Sequence, residues 1–313
     1  MAVYPYLTWR AYNQADVNRD GEVDSWYSHP GRPVVPLRGW FERYRSEMSV
    51  STREVTDCAG AAFSRWVHEH NLVAQHVTDV ELRRIPLTVL RRYAMIAFPD
   101  HTEYFERATY EKLLAYRDGG GHLYFFAGNS FYGEVQITHF TIIRRTFRYR
   151  TRAISDFRLA ATGFRSCCWP ASVAPRYHLL PAAFKSIRWL FQGTRVSPGD
   201  AFGLALREVD TIDPLLSPPG TVDIASAIVP RFSTTNEAVY GYLGTRPFPL
   251  EPGPIRARRV DVAYAPTGKG EVFSWGNNGF LETLFLTQLP GRERAALDRV
   301  ALNVWRRFTR RGG

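Results

Sequence analysis

The chain has 313 residues, of which 45% are hydrophobic and 14% aromatic, ample material for a packed core. It has no apolar run of about 18 residues or more, which argues against a membrane-spanning helix. The formal charge of +10 raises nucleic acid as a partner, but all except three of the 40 basic residues are arginine, spread along the chain. The short clusters at Arg144-Arg145, Arg256 to Arg259 and Arg306 to Arg311 accompany no recognisable nucleic-acid module. A solvated basic surface is expected instead.

The opening Met1-Ala2-Val3-Tyr4-Pro5-Tyr6 lacks the basic, apolar and small-residue segments of a signal peptide, so a cytoplasmic location is expected. Three cysteines, Cys58, Cys167 and Cys168, form no CxxC pair and no disulfide framework. They are expected to be reduced and structural.

In chain order, Tyr4 to Trp9 reads as a short β-rich run leading into a polar turn. Phe63 to His70 reads as the end of a helix and Leu72 to Val77 as a strand. Thr78-Asp79 is a helix N-cap, followed by a segment carrying Leu82, Ile85, Leu87 and Leu90 and interrupted by proline. Tyr93 to Phe98 is a continuous apolar run with the length of a buried parallel strand, broken by Pro99-Asp100-His101. A helix is expected from Thr102, with Glu103 and Glu106 in its first turn, ending at Gly119-Gly120-Gly121. His122 to Ala127 is the next buried strand. This alternation indicates βαβ units and a mainly parallel sheet sandwiched by helices, an α/β fold.

After about Thr138 the pattern changes. Phe140 to Arg150 alternates apolar and basic residues like an exposed antiparallel strand, and Cys167 to Pro230 reads as loops and short strands. Asp261 to Tyr264 and Glu271 to Trp275 form a late strand pair. Glu293 to Arg310 is an amphipathic helix with Ala296, Leu297, Val300, Ala301, Val304 and Phe308 on one face. The simplest organisation is one domain: a βαβ core over 1–137, a loop-rich and antiparallel part over 138–290, and a terminal helix over 291–313.

Asp100-His101-Thr102-Glu103-Tyr104 lies where open α/β sheets place their active sites, at the carboxyl end of a buried strand. His101 and Glu103 could face one crevice, or Glu103 could be only a favourable helix-start acid. No Ser or Cys occupies the elbow, so a metal-activated water is the better route to hydrolysis. The run Asp16 to Asp24 resembles the front of an EF-hand loop, but Tyr27 stands where a bidentate acid is needed, so a polar turn is expected.

Several segments in fixed order resemble the C-terminal-domain family of the N,N-dimethylformamidase large (beta) subunit. They are Thr8-Trp9-Arg10-Ala11-Tyr12-Asn13, Ser25-Trp26-Tyr27, Val77 to Leu82, Asp100 to Phe105, Gly128 to Tyr132, and Gly203-Leu204 with Arg207 to Asp210. Phe273 to Trp275 faintly resembles a late family strand and its tryptophan. The resemblance implies a class I glutamine amidotransferase-like fold and a mononuclear iron, Fe3+, held by two tyrosines and one glutamate. Hard phenolate and carboxylate oxygens suit such an ion. Residue by residue, it implies Tyr12 and Glu103 as metal ligands, His101 and Asn129 as polar residues beside the metal, and Glu208 as a general base.

One departure stands out. The family's second tyrosine ligand follows an Arg-Pro pair, whereas here Arg32-Pro33 precedes Val34 and Arg38-Gly39 precedes Trp40. Tyr27 and Tyr44 are nearby but do not fit the motif. The expected function is iron-dependent hydrolysis of a small amide C–N bond, giving carboxylate and amine. A homo-oligomer or a small partner subunit is the expected assembly. The alternative is a metal-free, non-catalytic relative acting as a scaffold or subunit.

Overall fold

The computed structural model describes residues 1–12, 16, 17, 19, 24, 26, 34–38, 59–147, 155–166, 174–206, 208–229, 258–285 and 289–310. Cys58, Cys167, Cys168, Tyr27, Trp40, Tyr44, Arg207 and most of the EF-hand-like turn lie outside them. No helix among the described residues is long and apolar enough to cross a membrane.

The fold is mixed α/β around a nine-stranded sheet. Its strands are β1 (Ala2–Tyr4), β3 (His76–Thr78), β4 (Met95–Phe98), β6 (His122–Phe125), β10 (Arg176–Leu179), β11 (Ala201–Leu204), β13 (Val222–Val229), β14 (Arg258–Thr267) and β15 (Gly270–Ser274). The spatial order is β11-β10-β13-β14-β15-β6-β4-β1-β3. From β15 to β3 the four pairs are parallel, and from β11 to β15 the four are antiparallel. The sheet is therefore not mainly parallel. The antiparallel strands of the second half extend the same sheet, because the hairpin β14–β15 sets β15 parallel to β6 and leaves β14 to pair outward.

Alternation along the central strands assigns their two faces. Met95, Ala97 and Tyr124 point into one core, packed by α2 (Ala59–Glu69), α7 (Pro181–Ser186), α8 (Phe280–Phe285) and α9 (Gly291–Thr309). Ile96, Phe98, Leu123 and Phe125 point into the other. It is packed by α3 (Asp79–Leu82), α4 (Leu87–Leu90), α5 (Arg107–Asp118) and α6 (Asp156–Ala160). The six apolar residues expected on the inner face of α9 are all buried. Asp298 on α9 accepts from Trp66 Nε1 and contacts His70 Nε2, both at 2.8 Å, tying α9 to α2 and the turn after it.

A smaller sheet, β2-β8-β7-β5, is built from Val34–Pro36, Thr141–Phe147, Gly133–Ile137 and Tyr104–Phe105. It encloses a satellite core with α1 (Tyr6–Ala11), containing Leu7, Ala11, Tyr104 and Ile142. A two-stranded ladder pairs β9 (Gly163–Ser166) with β12 (Val209–Thr211).

Three local expectations change. Only Ala2–Tyr4 is extended, and Tyr6 to Ala11 is helical because the buried Asp79 carboxylate accepts the Leu7 amide at 3.1 and 3.2 Å. A distant side chain thus satisfies a helix-start donor that the local sequence leaves open. The strand expected over Leu72 to Val77 shortens to His76–Thr78, and Thr78 caps α3 with a full capping box to Glu81.

The helix expected from Thr102 begins only at Arg107. Its would-be first turn is spoken for by tertiary bonds. Thr8 Oγ1 accepts the Glu103 and Tyr104 amides, and the Glu103 carbonyl accepts the Tyr132 and Gly133 amides. Glu103 is therefore not a helix-start acid.

Candidate active site

Four adjacent parallel strands, β15, β6, β4 and β1, end on the same side of the sheet. The segments leaving their carboxyl ends carry the site, as open α/β sheets favour. After β1, α1 leads to Tyr12 at its C-cap. After β4 come Asp100, His101 and Glu103; after β6, Asn129; after β15, Gly276 and Asn278. Glu208 enters from the segment before β12.

Glu103 is buried, and its backbone N–H is fixed by Thr8 Oγ1. The Tyr12 hydroxyl donates to its Oε2 at 2.7 Å. Burial and the nearby Glu208 carboxylate raise the Glu103 pKa to about 7, against the opposing pull of His101 and Tyr12.

His101 is bracketed by carboxylates. Asp100 Oδ1 accepts its backbone N–H at 2.8 Å and meets Nδ1 at 3.2 Å, while Asp100 Oδ2 accepts from Trp9 Nε1 at 3.4 Å. On the far side of the ring, Nε2 stands 4.0 Å from Glu208 Oε2. The Tyr12 ring meets the imidazole edge-on, with centroids 6.0 Å apart. Burial opposes the charged form, but the Asp100 hydrogen bond and the Glu208, Asp100 and Glu103 charges prevail and lift the pKa to about 10. At neutral pH the ring is an imidazolium. In return, although burial pushes the other way, contact with His101 holds the Asp100 pKa below its ordinary value.

Glu208 Oε2 accepts two side-chain amides, Asn129 Nδ2 at 3.1 Å and Asn278 Nδ2 at 2.6 Å. Asn129 sits at φ +49°, a left-handed conformation that asparagine tolerates better than most residues. Its backbone N–H is fixed by Asp210 Oδ1 at 2.8 Å, and Asp210 Oδ2 accepts from Thr162 Oγ1 at 3.0 Å. Burial raises the Asp210 pKa to about 7; the Asn129 and Thr162 hydrogen bonds oppose this, and the Asp156 charge adds to it.

The strand end carrying Glu208 is tied to the turn after β15. The Asn278 amide donates to the Glu208 carbonyl at 3.0 Å, and the Asp210 amide to the Gly276 carbonyl at 2.8 Å. Gly276 has φ +61°, and a Cβ there would lie 2.3 Å from the Asp261 carbonyl oxygen, so only glycine fits without movement.

Every residue singled out from the sequence, Tyr12, His101, Glu103, Asn129 and Glu208, falls in this one cluster. Sequence reasoning missed Asn278 and Asp210 as members; it placed Asp100 in the candidate turn without giving it a role. The Gly276-Asn277-Asn278-Gly279 turn directly after a buried strand was the available signal.

As to a metal, no three His, Cys, Asp or Glu side chains among the described residues converge as a ligand set. The Tyr12 and Glu103 oxygens nevertheless fit a hard cation. They are 2.7 Å apart, close to the roughly 3 Å separating neighbouring oxygens on an octahedral ion with bonds of about 2.1 Å. In the same cluster the buried Oδ1 atoms of Asn129 and Asn278 have no hydrogen-bond partner among the described residues.

Solved structures with a similar chain course include a ThuA-like protein from Bacteroides uniformis. It shares 14% identity, with 80% of this chain and 82% of that one covered, at a TM-score of 0.43. A cytoplasmic protein from Salmonella typhimurium shares 10% identity over 82% of this chain and 88% of that one, at a TM-score of 0.39. No curated protein matches the chain. The family described as N,N-dimethylformamidase beta subunit-like, C-terminal, matches residues 1–289, and the chain belongs to it.

Proposed function

We propose that this protein hydrolyses the C–N bond of a small amide, releasing a carboxylate and an amine, on a class I glutamine amidotransferase-like fold. The observation that carries the proposal is the placement of Glu208. Its half-buried carboxylate is held by two asparagines and faces the His101 ring, at the carboxyl ends of four parallel strands. Membership in a dimethylformamidase-like family supports the reaction class.

Glu208 takes a proton from the attacking water, whose oxygen forms the new bond to the amide carbon. The His101 imidazolium, kept charged by Asp100, stabilises the oxygen on which negative charge develops. When the C–N bond breaks, the proton held by Glu208 passes to the leaving nitrogen, returning the carboxylate. Asn129 keeps Glu208 in place and helps to orient the water. Tyr12 and Glu103 would hold ferric iron, which supplies Lewis acidity when bound. The subunit name of the family supports a small partner subunit.

A second reading, a metal-free scaffold or subunit, is favoured by one feature: Trp40 stands where the resembling motif has a tyrosine. Metal analysis and a visible spectrum of protein purified without added metal separate the two. Near-stoichiometric iron with a tyrosinate charge-transfer band, and amine release from a panel of small amides, is the expected result. Protein that neither carries nor takes up iron, and releases no amine, would establish the scaffold instead.

A further inference from the structure

The clamp on Glu208 contains a residue to which neither the family resemblance nor the reaction scheme gives a part. We infer that Asn278 is a positioning residue that orients the Glu208 carboxylate for proton transfer; this rests on the amide-hydrolase reading.

Three observations converge. The Asn278 side-chain amide makes the shorter of the two side-chain hydrogen bonds to Glu208 Oε2, 2.6 Å against 3.1 Å from Asn129. Its backbone N–H also holds the Glu208 carbonyl at 3.0 Å, so one residue fixes both the main chain and the side chain of the base. Finally, the Asn278 Oδ1 is buried without a hydrogen-bond partner among the described residues. A buried orphan acceptor disfavours the fold. An apolar residue here would remove that cost but also the 2.6 Å hydrogen bond to the base, so the asparagine's place is tied to its contact with Glu208.

Two donors on one oxygen also constrain direction. They fix Oε2 against Asn129 and Asn278 and leave Oε1 to receive the proton. With Asn278 truncated, the carboxylate keeps a single, longer amide contact and can rotate. Because the backbone bond from residue 278 to Glu208 does not depend on the side chain, a truncated variant retains its strap.

The test combines turnover with a double-mutant cycle. For Asn278→Ala, and for the isosteric Asn278→Asp, kcat on the best amide found is expected to fall roughly 10- to 100-fold with KM nearly unchanged. Independently of any substrate, Asn278→Ala and Glu208→Gln are expected to be non-additive in urea midpoint, the double variant shifting by less than the two single shifts together. Additive midpoints with wild-type kcat in both Asn278 variants would overturn the inference and leave the hydrolase reading standing. Non-additive midpoints in a protein that turns over no amide would uphold the contact but sink the role in proton transfer along with the hydrolase reading.

Discussion

The Tyr12 hydroxyl donates to Glu103 Oε2 across 2.7 Å, although the two residues stand 91 positions apart in the chain. The contact exists because β1 and β4 are neighbours in the sheet and both discharge their chains at the same edge. Tyr12→Phe removes the phenol oxygen while keeping the ring against His101. Bound iron is expected to drop well below stoichiometric and the tyrosinate charge-transfer band to vanish, as judged by metal analysis and absorbance. Glu103→Ala is expected to lose the metal too. Retention of both iron and amidase activity by Glu103→Ala would remove these residues from the centre.

Glu208→Gln keeps the shape of the base and takes away its capacity to accept a proton. Turnover is expected to fall by roughly 10²- to 10⁴-fold, with iron content unchanged. Full turnover with iron retained would eliminate Glu208 as the base.

The Asp210 carboxyl ties stability to pH. Its pKa rises from 3.8 to about 7 on folding, so the folded protein favours the protonated form. Its contribution is fully present below about pH 4 and is lost as pH climbs through 7. Asn at this position keeps an oxygen for the Asn129 amide and carries no charge. Asp210→Asn is therefore expected to match wild type near pH 4 and exceed it at pH 8, by on the order of 2–4 kcal/mol. Urea melts at the two pH values check this, and a difference that does not change with pH would contradict it.

His101 works in the same direction over a higher pH window. Its pKa rises from 6.5 to about 10, so the stability it supplies is complete below pH 6.5 and lost as pH rises through 10. His101→Gln is expected to be markedly less stable than wild type at pH 6, with the gap narrowing above pH 10. A gap that stays constant across that range would mean that the ring is not held as an imidazolium.

Gly276 makes a mechanical prediction. Alanine there would meet the Asp261 carbonyl at 2.3 Å in a backbone conformation of positive φ. Gly276→Ala is expected to lower stability by about 1–3 kcal/mol and to loosen the strap that holds Glu208. A melting temperature equal to wild type would show that the turn relaxes freely.

Much of the fold was legible locally. The apolar run before Pro99, the glycine stop after α5, the Thr78 cap and the inner face of α9 are each specified by neighbouring residues, because caps, breakers and periodicity act within a few positions. His101 and Glu103 were legible from their place at the end of a buried strand, and Tyr12, Asn129 and Glu208 only as separate fragments of a resemblance; nothing in their spacing placed Glu103 beside Tyr12 or Asn129 beside Glu208.

Where reading failed, a distant partner had taken over the backbone. Residues 102–106 have the composition of a helix start, yet Thr8 and Tyr132 claim their polar groups. Tyr4 to Trp9 reads as a β-rich run, yet Tyr6–Ala11 is a helix whose Leu7 amide is held by Asp79. Asn278 joins the site because β15 lies beside β6, which delivers the turn after β15 to Glu208.

The sequence by itself determined the buried strands β4 and β6, the late pair β14–β15, the C-terminal end of α5, the inner face of α9, and which residue types were available for chemistry. Only the tertiary structure decided the strand order β15-β6-β4-β1, and with it the meeting of Tyr12, His101, Glu103, Asn129, Glu208 and Asn278. The reason is one of range: side-chain period and capping are local properties, whereas strand order depends on which buried faces fit together across the whole chain.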